Sequence, residues 1–180
     1  MKITVTKLTG LEEVRWACEG TMHGQKSKVS LDTMYKAEHS PIRCVLFMVD
    51  MEDIRTDVSV HFVRHKHGVE HFVKSNRGDL YLTKEQADRL GRSSPVNHRM
   101  IINAQALITM ARKRLCLKSH PYTVQTMKAL RKAINEVDPT LAKYMVPECV
   151  YRNGFCPEAT ECKAGLEKVC AHYAKERTNV

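Results

Sequence analysis

His61-Phe62-Val63-Arg64-His65-Lys66-His67-Gly68-Val69-Glu70-His71-Phe72-Val73-Lys74-Ser75-Asn76-Arg77-Gly78-Asp79 is the stretch from which the rest of this chain is read. It carries four of the nine histidines and packs Arg64, Lys66, Lys74 and Arg77 around short apolar segments. Arginine forks grip phosphate oxygens at two points, and lysine adds a point charge. The Ser75 hydroxyl and the Asn76 amide supply directional hydrogen bonds. This is a composition for holding phosphates, with a solvated basic loop as the even alternative from composition alone.

Two flanking segments extend the pattern. Upstream, His39-Ser40-Pro41-Ile42-Arg43 runs into the apolar Cys44-Val45-Leu46-Phe47-Met48-Val49. Downstream, Asn103-Ala104-Gln105 leads through Thr109 to Arg112-Lys113-Arg114. In this order the three segments resemble the flavin-dependent thymidylate synthases. That family carries an Arg-His-Arg triplet followed after seven or eight residues by Ser-x-Arg, a His-x-Thr-Pro segment before it, and an Asn-Ala helix bearing its catalytic Arg eleven residues on. The likeness spans roughly residues 37 to 120. This chain departs from the pattern at Lys66 for the third Arg, at His61 for a Gln, at Val73 for a Glu, and at His39, one residue closer than the family's histidine. Between Arg77 and Asn103 it is shorter than the family, and the tail after residue 146 has no counterpart there.

The resemblance implies an α+β fold in which a small antiparallel sheet packs with helices, the long helices lying in the C-terminal half. It implies transfer and reduction of a one-carbon unit from methylenetetrahydrofolate to C5 of dUMP, giving dTMP, with FAD as cofactor and NADPH as reductant. The family works without a covalent thiol, so the ring must be activated electrostatically. Arg114 falls on the catalytic position, and an always-charged guanidinium near N3 and O4 suits the task. Ser40, Arg64, His65, Lys66, Asn103, Gln105 and Thr109 are the implied flavin contacts. His61, Arg64, Ser75, Asn76, Arg77 and Arg89 are the implied nucleotide contacts, Arg77 being the phosphate fork. A homotetramer with shared active sites comes with the same resemblance. His67 and His71 have no counterpart and read as surface or core imidazoles.

The chain as a whole accommodates this. Its 180 residues, 43% hydrophobic and 27% charged, suffice for one globular domain over residues 1–146 with a Cys-rich tail, 147–180, packed on it. A formal net charge of +9 favours an anionic partner. Flavin dinucleotide, folate and nucleotide meet that need without nucleic acid. Aromatic residues are only 6% and do not interleave with the basic run, so the stacking platform of a single-strand binder is absent. The first residues alternate as a strand and lack a signal peptide's apolar core, and the apolar run Cys44–Val49 is too short to span a bilayer, so a cytoplasmic protein is expected.

Local patterns set the remaining expectations. Leu11–Cys18 and Leu31–His39 read as helices, Cys44–Val49 as a strand, and Thr83–Leu90 as a helix opened by a Thr83/Gln86 capping box. Met100–Leu117 reads as the best helix, Tyr122–Glu136 as the next, and Asp138-Pro139 as the start of a third. Asp57–Val63 alternates like a strand and also recurs at helical spacing; the resemblance favours helix. In the tail, Cys149, Cys156, Cys162 and Cys170 form a candidate zinc set, although their spacing contains no Cys-x-x-Cys knuckle, and reduced thiols are the competing reading. Two other functions stay open: a C5 methylase or hydroxymethylase of another pyrimidine nucleotide, and a non-catalytic nucleic-acid-binding derivative of the fold.

Overall fold

The structure is a computed structural model that describes residues 1–74 and 82–178, with side chains described up to residue 175. Four strands, β1 (Lys2–Lys7), β2 (Leu46–Arg55), β3 (Val69–Val73) and β4 (Pro95–Asn103), form one sheet in the order β1-β2-β4-β3. Every neighbouring pair is antiparallel. Around the sheet lie α1 (Leu11–Glu19), α2 (Leu31–Ala37), a 3-10 turn (Ser40–Cys44), α3 (Thr56–Phe62), α4 (Lys84–Asp88), α5 (Ala104–Arg114), α6 (Pro121–Val137), α7 (Pro139–Ala142), α8 (Glu148–Tyr151) and α9 (Leu166–Thr178). The fold is α+β with a small antiparallel sheet and its longest helices C-terminal, as expected. The helical alternative for Asp57–Val63 is the one adopted.

The sheet buries one face. Phe47, Val49, Met51 and Ile54 of β2 and Val96, His98, Met100 and Ile102 of β4 point into the core, at alternate positions except for a bulge between Met51 and Ile54. The opposite face leaves Met48, Phe72 and Ile101 exposed around the Arg99–Asp50 ion pair. The apolar run therefore marks only part of β2, because Asp50, Glu52 and Asp53 continue the strand beyond it.

The helix expected over Met100–Leu117 is the largest correction. Met100-Ile101-Ile102 ends β4, and the helix covers only Ala104–Arg114. Val96, His98, Met100 and Ile102 alternate in burial, and β4 is held on both sides by β2 and β3, partners that helical propensity does not register. Asn103 then makes the switch: its backbone is extended, and its side-chain oxygen accepts the Ala106 N–H at 2.8 Å as the cap of α5. Pro95 opens this central strand, where its missing N–H costs no interior ladder bond.

Other expectations hold with shifted ends. The Thr83/Gln86 capping box is present, although α4 stops at Asp88. The Asp138 carboxylate caps α7 by accepting the Leu141 N–H at 2.9 Å. The other oxygen of that carboxylate accepts the Tyr35 hydroxyl and the Lys7 ammonium, each at 2.8 Å, tying α2, β1 and α7 together in the interior. Burial and the adjacent carboxylate push the Tyr35 phenol upward, so it stays a donor. In the tail, Val150 and Tyr173 join the same hydrophobic core. Among the described residues no helix is long and apolar enough to cross a membrane.

Candidate active site

The site grows from the junction between the α3–β3 loop and the start of α5. Gly68, at φ +72°, lets the loop turn into β3, and its carbonyl accepts the Asn103 N–H at 2.9 Å. A Cβ built on Gly68 would stand 2.4 Å from the Asn103 Nδ2, so only glycine lets the loop lie against the helix start. Between loop and helix lies a cleft of about 570 Å³. Arg64, His65, Lys66, Asn103, Gln105 and Thr109 line it, all of them residues assigned to the cofactor. Arg43, which the sequence reading did not assign, adds a third cation, and among the described residues no carboxylate lines the cleft.

Three arginines and lysines in one helical turn separate at the end of α5. Arg114 donates Nε–H to the His65 Nε2 at 3.0 Å. Arg112 turns the other way, bonded to Glu38 and lying 3.4 Å over the Tyr151 ring. Lys113 remains 61% exposed, 3.9 Å from Glu148. A single solvated turn is thereby excluded for Arg112 and Arg114. Glu38 also accepts Gln105 Nε2 at 2.6 Å, so one carboxylate just before the 3-10 turn braces α5 at two points.

Behind the loop runs a line of imidazoles. The His71 Nε2 meets the His65 carbonyl at 2.9 Å, the His71 Nδ1 meets the His98 Nε2 at 2.8 Å, and the His98 Nδ1 meets the Ser59 Oγ at 3.0 Å. His98 is fully buried on β4, and burial, then the neighbouring His71, holds its pKa down to about 4. His65 is also lowered to about 4, by burial first and then by Arg114 and His71. His61 lies across the loop with its Nδ1 2.7 Å from the Thr123 hydroxyl. Burial lowers it first, followed by the charges of Arg114, His120 and Arg64, which mark a second cationic neighbourhood beside the cleft.

Other assigned residues fall elsewhere. Ser40 opens the 3-10 turn whose Arg43 lines the cleft, but is not itself part of the lining. Arg89 is exposed at the end of α4 and does not line the cleft; the segment leading to it is shortened relative to the family pattern. Ser75, Asn76 and Arg77 lie outside the described residues. Residues missed by the sequence reading are Arg43, Glu38, Thr123 and His120. Arg43 was within a quoted motif, whereas Glu38, Thr123 and His120 reach their partners through tertiary contacts that leave no local signal.

Cys149, Cys156 and Cys162 line a second cavity of about 300 Å³ beyond the C-terminal end of α5, joined there by Cys116 in place of the expected Cys170; Arg114 lines this cavity, and reaches the cleft only through its bond to His65. None of the seven cysteines is joined in a disulfide. Among the described residues, no three His, Cys, Asp or Glu side chains are grouped so as to hold a metal ion. Burial, followed by the nearby Cys170, raises the Cys149 thiol to about 11.

No protein-family model matches the chain, and no curated protein matches it by sequence. Solved structures do match by fold. Thymidylate Synthase X (ThyX) from Helicobacter pylori with FAD and dUMP superposes with a TM-score of 0.66 at 12% identity, over 81% of this chain and 99% of that one. A second structure of flavin-dependent thymidylate synthase ThyX from Helicobacter pylori, complexed with FAD and dUMP, gives 0.66 at 12% identity over 81% and 100%. The UMP/dUMP methylase PolB from Streptomyces cacaoi, bound with 5-Br dUMP, gives 0.59 at 13% over 80% and 94%. At these identities the likeness is one of fold, and it is the fold that the sequence resemblance implied.

Proposed function

We propose that the chain is a flavin-dependent enzyme acting at C5 of a pyrimidine nucleotide. In its leading form it moves a one-carbon unit from methylenetetrahydrofolate to C5 of dUMP and reduces it, giving dTMP, with NADPH as the reductant. The observation that carries this reading is convergence: six residues picked as cofactor contacts from two distant segments line one cation-rich cleft, with Arg114 bonded to one of them. FAD and dUMP occupy fold neighbours of this chain. The cleft suits FAD, a polyanionic dinucleotide, through Arg43, Arg64 and Lys66.

Bound there, a flavin would supply the electrons that reduce the transferred carbon. The chain's own part is binding and polarisation. Arg64 and Lys66 hold anionic groups, Asn103 and Gln105 present polar atoms from the first turn of α5, and His61 and Arg64 lie toward the nucleotide. Ser75, Asn76 and Arg77 complete the grip on its phosphate. Arg114 uses only Nε on His65, so its Nη edge is outside that contact. Set against N3 and O4 of the ring, that edge stabilises the negative charge that develops as C5 becomes nucleophilic. A homotetramer with shared active sites belongs to the same reading.

The test is direct. Saturating FAD should produce a flavin difference spectrum and raise the melting temperature, because a ligand that binds only the folded state stabilises it. The absence of both changes would overturn the reading. The fold neighbour that acts on UMP and dUMP, together with His61 in place of the family's Gln, favours a second form, a C5 methylase or hydroxymethylase of another pyrimidine nucleotide. Product analysis with dUMP and UMP side by side separates the two.

A further inference from the structure

We propose that His71 is a positioning residue: through the His65 carbonyl it fixes the cleft loop so that the His65 imidazole engages Arg114 instead of the cofactor. The proposal rests on the function proposed above only for what Arg114 does chemically; the arrangement of Ser59, His98, His71, His65 and Arg114 stands by itself.

The protons on this line can be assigned from the two ends. A carbonyl oxygen only accepts, so the His71 Nε2, 2.9 Å from the His65 oxygen, carries the hydrogen. In neutral His71 the Nδ1 is then a lone pair, so the His98 Nε2 donates to it across 2.8 Å. The His98 Nδ1 is left to accept the Ser59 hydroxyl at 3.0 Å. At the other end, a guanidinium only donates, so the His65 Nε2 must be a lone pair and its proton must sit on Nδ1. One set of neutral tautomers satisfies all four contacts. Ser59 and His98 are buried, which leaves His71 little freedom to turn.

The geometry gives this line a purpose. The loop rises from α3 with the His65 N–H bonded to the Phe62 carbonyl at 3.0 Å, and His71 from β3 secures the carbonyl of the same residue, so the peptide groups on both sides of His65 are held. With His65 held at backbone and ring, Arg114 is aimed from the end of α5 with no carboxylate bonded to it among the described residues. A carboxylate in place of His65 would also hold the guanidinium, but would cancel the charge the ring needs. A neutral imidazole orients it and leaves the charge available.

Imidazole nitrogen spectra of the histidine-labelled protein at pH 7 test the assignment without any variant. His65 should show the Nδ1–H tautomer, and His71 and His98 the Nε2–H tautomer; an Nε2–H His65 overturns the proposal. His71→Leu removes the donor to the carbonyl. His71→Gln keeps an amide N–H in nearly the same place. His71→Leu should turn the His65 signals into a tautomer mixture and lower kcat on the order of 100-fold, as expected when a reacting group is misplaced by about 1 Å. Nucleotide KM should move less than threefold on the same argument, and His71→Gln should restore both readouts. Unchanged His65 signals in His71→Leu, or equal loss in Leu and Gln variants, overturn the proposal. A shifted His65 in a protein that neither binds flavin nor turns over any pyrimidine nucleotide supports the positioning and defeats the proposed function instead, so the two failures are distinct.

Discussion

Two buried polar networks in this molecule are built from similar parts and end differently. Around Asp138, a carboxylate, a phenol, an ammonium and a backbone N–H meet with every carboxylate oxygen engaged, and the knot closes on itself. Under the cleft, Ser59, His98 and His71 pass hydrogen bonds outward to the His65 carbonyl while the His65 ring accepts from Arg114, and the line opens beside Arg43, Arg64 and Lys66, with no carboxylate among the described lining residues. A network whose charges cancel internally holds elements together. One that ends on an arginine bonded to a neutral imidazole, beside a cleft lined by three cations, is arranged for an anionic ligand.

The largest expected effect breaks this comparison at its open end. Arg114→Ala should lose roughly three orders of magnitude in kcat, in the range seen when a donor to developing negative charge is removed. It should keep its fold and its flavin. Arg114→Lys should recover little, because one ammonium cannot reproduce a planar fork against two ring heteroatoms. Steady-state kinetics beside a thermal melt decide it: near-normal kcat in Arg114→Ala would make that arginine as structural as Arg112.

The closed network should fail in the opposite way. Asp138→Ala leaves the Tyr35 hydroxyl and the partly buried Lys7 ammonium without their acceptor and uncaps α7, a loss of roughly 3–5 kcal/mol in unfolding free energy. Flavin affinity of the molecules that remain folded should not change. Urea titration with and without FAD checks both halves; a weakened flavin affinity at full stability would join the two networks into one.

How much of this was legible in the sequence follows the same division. The cleft residues could be read because a short loop and one helix face carry them, at fixed spacings that local structure preserves. The capping signals at Thr83 and Asp138 worked for the same reason. Met100-Ile101-Ile102 misled because its neighbours β2 and β3 supply the pairing, and Ala104 onward supplied enough helical propensity to absorb it. His71 read as an ordinary imidazole and His98 drew no reading, since only antiparallel pairing of β3 with β4 brings them to 2.8 Å. Glu38 lies 67 residues from Gln105 and no pattern announces their contact.

Acid offers a smaller test of the open network. His65 and His98 take up protons near pH 6.5 when unfolded but only near pH 4 when folded. Between those values the unfolded chain binds more protons, so stability is full above about pH 6.5 and is lost as the pH falls toward 4. Denaturant midpoints should therefore drop from pH 7 to pH 5, with up to about two protons taken up on unfolding through these groups. A His98→Leu variant should show a shallower drop; the same slope as the parent would remove His98 from the account.

The smallest effect tests whether the tail belongs with the closed or the open kind of network. Cys149 sits against Cys116, Cys156 and Cys170 with its thiol raised to about 11, chiefly by burial. Since the thiolate is the reactive form, iodoacetamide at pH 8 should modify Cys149 on the order of 100-fold more slowly in the folded protein than after unfolding, read by peptide mass mapping. Protected neutral thiols would make the tail a packing element. A zinc ion held by Cys149, Cys156, Cys162 and Cys170 would instead require thiolates. It would appear as about one metal per chain in elemental analysis, and a chelator would accelerate alkylation of all four together. That outcome would place a second ligand-holding centre at the same C-terminal end of α5 that carries Arg114.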